Sequence, residues 1–165
     1  MRNIISVLLE NESGALSRVV GLFSQRGYNI ESLTVSPTND LTLSRMTITT
    51  VVPDNARLEQ MMKQLHKLVD VLRVSELTEG AHIERELMLI KVRTFPDTRE
   101  EVKRCADIYR GQVVDITQNL YTIQLSGTCA KLDAFIATLA DTGEIVEVVR
   151  SGVCGIARGE KALRG

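Results

Sequence analysis

The stretch IISVLLENESGALSRVVGLFSQRGYNIESLTV, residues 4–35, decides the fold. It opens on Ile4 to Leu9, an uncharged run rich in β-branched residues and of strand length. After the polar turn Glu10 to Ser13, apolar residues recur at Leu16, Val19, Val20 and Phe23, the i, i+3, i+4, i+7 stripe of an amphipathic helix. Gly27 follows that stripe, where a left-handed cap ends a helix, and Ile30 to Val35 returns to strand composition.

The same alternation continues in both directions of reading. Strands are expected at 3–9, 28–36, 44–52 and 69–77, with a second helix marked by Leu58, Met61, Met62 and Leu65 and capped by Asp54. The second half repeats the order. Strands fall at 86–93, 112–117, 120–126 and 144–150; helices carry Val102, Cys105, Ala106 and Tyr109, then Leu132, Phe135, Ile136 and Leu139. Asp97 or Thr98 is placed to cap the third helix, Thr128 the fourth, and Gly111 to end the third in a left-handed turn. The central hairpin is long in the first copy, Pro37 to Leu43, and short in the second, at Gln118-Asn119, a length change that a surface loop absorbs cheaply. The expected fold class is α+β: two ferredoxin-like βαββαβ units, 1–77 and 82–165, joined at Thr78 to His82.

The first strand is apolar on both faces, whereas one layer of helices covers only one face of a sheet. A second cover is therefore expected, from the sister unit or a second subunit, and this favours a homodimer. The C-terminal stretch carries Arg150, Arg158, Lys161 and Arg164 against Glu160. It could dock an acidic partner; a solvated, frayed tail is the plainer reading.

Composition narrows the function. With 20 Lys+Arg against 21 Asp+Glu the chain lacks the positive excess of a protein held on nucleic acid by phosphate contacts. Strand three, Arg45 to Thr50, also lacks the aromatics on which bases would stack. No apolar run is long enough to span a bilayer and no apolar leader precedes Glu10, so no membrane association and a cytoplasmic location are expected. Cys105, Cys129 and Cys154 are odd in number and never spaced C-x-x-C, which reads as reduced, mostly buried thiols rather than a disulfide framework or zinc site. With only His66 and His82 besides, no metal site is expected. There is no P-loop and no G-x-G-x-x-G, and no catalytic constellation is assigned.

The most informative loop is Asn11-Glu12-Ser13-Gly14-Ala15-Leu16. A helix N-terminus presents unpaired N–H groups and partial positive charge, and from Gly14 through Ile30 no acidic residue quenches it. The third helix, by contrast, starts with Glu100 and Glu101. Gly14 would let a small anion approach the backbone. Taken alone, the loop favours the plainer alternative, a turn glycine after a capping serine. Asn29 can donate and accept, which suits a zwitterion, yet an Asx turn explains it equally.

The run 8–35 together with TLSRMTI (42–48) and QLHKLVDVLRVSEL (64–77) closely resembles the regulatory, small subunit family of acetohydroxyacid synthase, also called acetolactate synthase. GQVVDIT (111–117), KLDAF (131–135) and IVEVVRSG (145–152) extend the resemblance through the second half. It implies an N-terminal ACT domain to about residue 77 followed by the family's C-terminal domain. It also implies a chain with no catalysis of its own, which activates a large catalytic subunit and confers feedback inhibition by valine. Thiamine diphosphate, Mg2+ and FAD would reside on that large subunit, and no cofactor on this chain. By the same resemblance valine sits between two ACT domains, at Asn11, Gly14, Ala15 and Leu16 of one chain and Asn29 and Ile30 of the other.

Overall fold

The computed structural model describes residues 1–164. The first unit runs β1 (Arg2–Glu10), α1 (Ala15–Arg26), β2 (Ile30–Pro37), β3 (Leu43–Val51), α2 (Asn55–His66) and β4 (Val71–Glu76). The second runs β5 (His82–Arg93), α3 (Arg99–Ile108), β6 (Gln112–Ile116), β7 (Leu120–Gly127), α4 (Cys129–Thr142) and β8 (Glu144–Arg150). A further strand, β9 (Cys154–Ala157), pairs with β5. Strand orders are β2-β3-β1-β4 and β6-β7-β5-β8, and the paired strands are antiparallel. This is the expected duplicated βαββαβ arrangement, with the first and third strands of each unit central.

In each unit alternate residues of the central strands meet the helices. Ile5, Val7 and Leu9 join Met46 and Ile48 against Val19, Phe23, Met61 and Leu65; in the second, Met88, Ile90, Ile123 and Leu125 pack on Val102, Leu132 and Phe135. The α1 stripe is rotated from its expected setting. Ala15, Val19, Leu22 and Phe23 face the core, whereas Leu16 and Val20 are 41% and 40% exposed. Hydrophobic spacing could not choose between these overlapping faces; the path of the β1–α1 turn does.

Helix ends depart from expectation in two places. Asp54 and Thr128 cap α2 and α4, accepting from the Arg57 and Lys131 N–H at 2.8 and 3.3 Å. At α3, however, Thr98 Oγ1 accepts from Phe95 N–H, outside the helix, and neither it nor Asp97 is a side-chain cap. The left-handed residue after α3 is Arg110, φ 62°, rather than Gly111. Gly111 serves close approach instead: an added Cβ would stand 3.1 Å from Ile123 Cγ2 and 3.2 Å from the Gln124 carbonyl.

The C-terminal stretch packs against residues distant from it in sequence. By compact packing the described residues from Val153 onward group with Met1–Ile83, apart from Glu84–Gly152. Val153 is 2% exposed. Its N–H donates to Ser32 Oγ and its carbonyl accepts from Thr34 Oγ1, at 3.3 and 3.2 Å. Gly155 lies so close to the outer face that a Cβ there would meet Leu77 Cδ1 at 2.9 Å and Ile4 Cγ2 at 3.8 Å. Every residue of β1 from Asn3 to Leu9 is buried, and the second cover over it is the chain's own C-terminal segment. This face therefore supplies no argument for a second subunit. Arg150 is likewise no part of a tail: from β8 it donates to Glu86 Oε1 at 2.8 Å and to Asp133 Oδ1 at 2.6 Å. Cys154 is exposed on β9, against the expectation of mostly buried thiols, while Cys105 is buried.

Candidate ligand site at the start of α1

Backbone bonds build the β1–α1 turn first. Glu12 N–H donates to the Glu10 carbonyl and Ala15 N–H to that of Glu12, at 2.9 and 3.2 Å. Asn11 ties the turn to the β2–β3 loop, its N–H donating to Thr42 O at 2.8 Å and its Nδ2 to Leu41 O at 3.0 Å. The N-cap is Gly14 rather than Ser13. It adopts φ 88°, ψ −12°, and no side chain accepts from the first turn of α1, which also holds no acid. A left-handed cap with no acid in the first turn of the helix itself, the preceding Glu12 lying on the Asp70 side, leaves first-turn amides available to an external anion. Ser13, Gly14 and Leu16 are exposed around it, and Leu16 and Val20, one turn apart, form an apolar strip beside the amides.

Two residues that sequence reasoning did not single out shape the electrostatics. Arg18, one turn into α1, makes a two-pronged bond to Asp70, Nε to Oδ2 at 2.5 Å and Nη2 to Oδ1 at 3.0 Å. Its guanidinium also lies against Gly14, with Nη1 2.9 Å from where a Cβ would be. Arg18 could have been found from its i+4 spacing to Gly14, but Asp70 is distant in sequence and arrives only through the fold. Asp70 is 3% exposed by residue, and the carboxylates of Glu10 and Glu12 come within 4.8 Å of it and of each other. Arg18 engages both Asp70 oxygens and so supplies the compensating positive charge there.

Arg18 hydrogen bonding holds the Asp70 carboxyl below the usual carboxylate range, outweighing the opposing effect of burial. A carboxyl whose pKa is lowered on folding stabilises the fold above its unfolded pKa, and that contribution is lost as pH falls through the lowered value. The urea midpoint of Asp70→Asn is accordingly expected below that of the wild type at neutral pH. The two should converge in acid below the ordinary aspartate range, and a gap independent of pH would contradict the assignment.

Asn11, Gly14, Ala15 and Leu16 thus lie together, although Ala15 is 2% exposed and offers only its backbone. Asn29 and Ile30 do not join them within one chain. They follow the C-terminal cap of α1, and a helix of 12 residues separates them from Gly14 by about 18 Å. Asn29 is exposed, its carbonyl accepting from Thr50 Oγ1, and Ile30 opens the edge strand β2. Leu9, at the end of β1 before this turn, is 1% exposed inside the helix-facing core.

A βαββαβ unit whose first turn presents unshielded helix amides beside exposed apolar side chains has the form of an ACT domain. Residues 5–73 match the family described as the acetohydroxyacid synthase small subunit-like ACT domain. Residues 85–159 match the family described as the small subunit of acetolactate synthase. The chain is 68% identical to the acetolactate synthase isozyme 3 small subunit of Salmonella typhimurium over 99% of its own length and all of that protein's. It is 67% identical to the Escherichia coli protein of the same name, over the same shares. The crystal structure of the acetolactate synthase small subunit from Thermotoga maritima superposes with a TM-score of 0.87 at 33% identity, covering 98% of this chain and 99% of that one. The chain belongs to the acetolactate synthase small-subunit family.

Proposed function

We propose that this chain binds the large, catalytic subunit of an acetolactate synthase, raises its activity and makes it subject to feedback inhibition by valine. The observation that carries the ligand half of this reading is the open start of α1: a left-handed Gly14, no side-chain cap and no acid in the first turn. The valine carboxylate takes the N–H groups around Gly14 to Leu16, displacing the 3.2 Å bond from Ala15 N–H to the Glu12 carbonyl, and its side chain rests on Leu16 and on Ile30 and Leu33. Asn29 or nearby carbonyls hold the ammonium.

Because α1 separates Asn29 and Ile30 from Gly14 in one chain, the complete site needs two copies, the first turn of one facing the β2 start of the other. Ligand bound across a homodimer stabilises one arrangement of the pair. Inhibition follows if that arrangement engages the catalytic subunit differently, since a ligand shifts an equilibrium only by its differential affinity for the two states. Condensation of pyruvate with a second 2-keto acid belongs to the large subunit in this reading, with its thiamine diphosphate, Mg2+ and FAD. This chain contributes no reacting group.

Calorimetric titration of the purified chain with L-valine, alone and with the catalytic subunit, tests the reading. Saturable binding at two symmetry-related sites per homodimer, coupled to inhibition of the holoenzyme, is expected. Saturable binding by a chain that never co-purifies with the large subunit would instead make it a stand-alone sensor. Activation with no valine response in either format would make it a constitutive activator.

A further inference from the structure

Arg45 has an unbalanced environment on the other side of the same sheet. It projects from β3, is partly buried, and donates through Nη2 to the Gly155 carbonyl at 2.9 Å and to Ser6 Oγ at 3.3 Å. Burial lowers its pKa. Among the described residues no carboxylate pairs with it. A guanidinium drawn out of water without a counter-charge is unfavourable, and its remaining donors are shaped for a planar or tetrahedral oxyanion.

Two clefts open beside it, both within the first unit. One, of about 510 Å³, adds Arg164 and Asp40 to its lining; the other, of about 320 Å³, adds Lys161 and Ser75. Asp40 does not answer Arg45, because its Oδ1 accepts from Thr42 N–H and Oγ1, at 3.0 and 2.7 Å, within its own turn. Arg45 lines both clefts, flanked by Arg164 in the larger and Lys161 in the smaller, and Asp40 is the one acid among the described lining residues, a local excess of positive charge that matches a dianion.

We propose that the outer face of the first unit's sheet binds a small dianionic oxyanion, a phosphate monoester or a dicarboxylate, between Arg45 on β3 and Lys161 and Arg164 on the C-terminal segment. The anion bridges sheet and segment, so its binding pins the segment in place. The site lies on the opposite face of β1 from the helices and is separate from the α1 turn.

The test follows the arginine Nε–Hε resonances of the full-length chain during titration with inorganic phosphate, and separately with succinate, at constant ionic strength set with sodium chloride. A saturable shift of the Arg45 resonance is expected in one arm, and which arm identifies the source of the anion. The surface pair Lys161→Gln with Arg164→Gln should weaken binding about tenfold while the remaining spectrum stays unchanged. Arg45→Gln, followed through the Arg164 Nε–Hε resonance, should remove it. No saturable shift with either anion up to about 20 mM, or full affinity in the Lys161/Arg164 pair, would overturn the proposal.

Discussion

Gly14→Asp is expected to weaken L-valine binding at least about a hundredfold and to release the holoenzyme from valine inhibition, while activation of the catalytic subunit is retained. Three effects converge on this residue. The new carboxylate occupies the space assigned to the ligand's own carboxylate and satisfies the helix amides from within. Its Cβ would stand 2.9 Å from Arg18 Nη1, so the side chain also competes with Asp70 for that guanidinium. Finally, φ of 88° strains any L-residue, by roughly 1–2 kcal/mol.

Gly14→Ala separates charge from strain, since it carries the strain and the crowding without the carboxylate. It should lose far less affinity than Gly14→Asp in the same calorimetric titration. Equal losses would assign the effect to backbone shape, and full valine sensitivity of Gly14→Asp would reject the site. Activation is measured in parallel because it reports a chain that still folds and still meets its partner.

Truncation after Gly152 should produce the largest loss of stability. It removes Val153, buried at 2%, and strips the cover from Ile4, Leu8 and Leu77, which are 0%, 2% and 4% exposed in the intact chain. Fully burying an aliphatic side chain is worth about 1.5–3 kcal/mol, so losing Val153 and partly re-exposing three others should cost roughly 3–6 kcal/mol. That is a large share of the 5–15 kcal/mol typical of a domain. Urea titration of the truncated chain should show a lower midpoint, and a dye that reports exposed apolar surface should bind where it does not bind the intact protein. An unchanged midpoint would mean that the segment lies on the sheet without stabilising it. The finer variant Val153→Asp, which buries an unpaired carboxylate on the same contact, should fall in the same direction with the sheet otherwise intact.

The architecture is legible because hydrophobic period and chain order carry it. Stripes of period 3.6 in four places and β-branched runs between them lead to two βαββαβ units, and the observed strand orders agree. Asp54 and Thr128 are legible for the same reason, since a cap bonds only three residues ahead. Leu16 and Val20 lie outside the core because the α1 sequence supports two overlapping apolar stripes, and only the angle of the turn at Gly14 selects between them.

The candidate site divides along the same line. Asn11 to Leu16 are consecutive, so their amides, and the lack of acids from Gly14 onward, are properties of the local chain. Arg18 meets Asp70, and Arg45 meets the Gly155 carbonyl, across separations that no local pattern reports. What the sequence alone determined is the duplicated fold, the acid-free first turn of α1 and the family, each resting on near neighbours or on periodicity, whereas the missing side-chain cap at Gly14 was decided by the fold. The cover over β1, the charge balance around Asp70 and the unpaired Arg45 were decided only by tertiary structure. They depend on which distant segments the packed sheet brings into contact, and burial gives those contacts their energy.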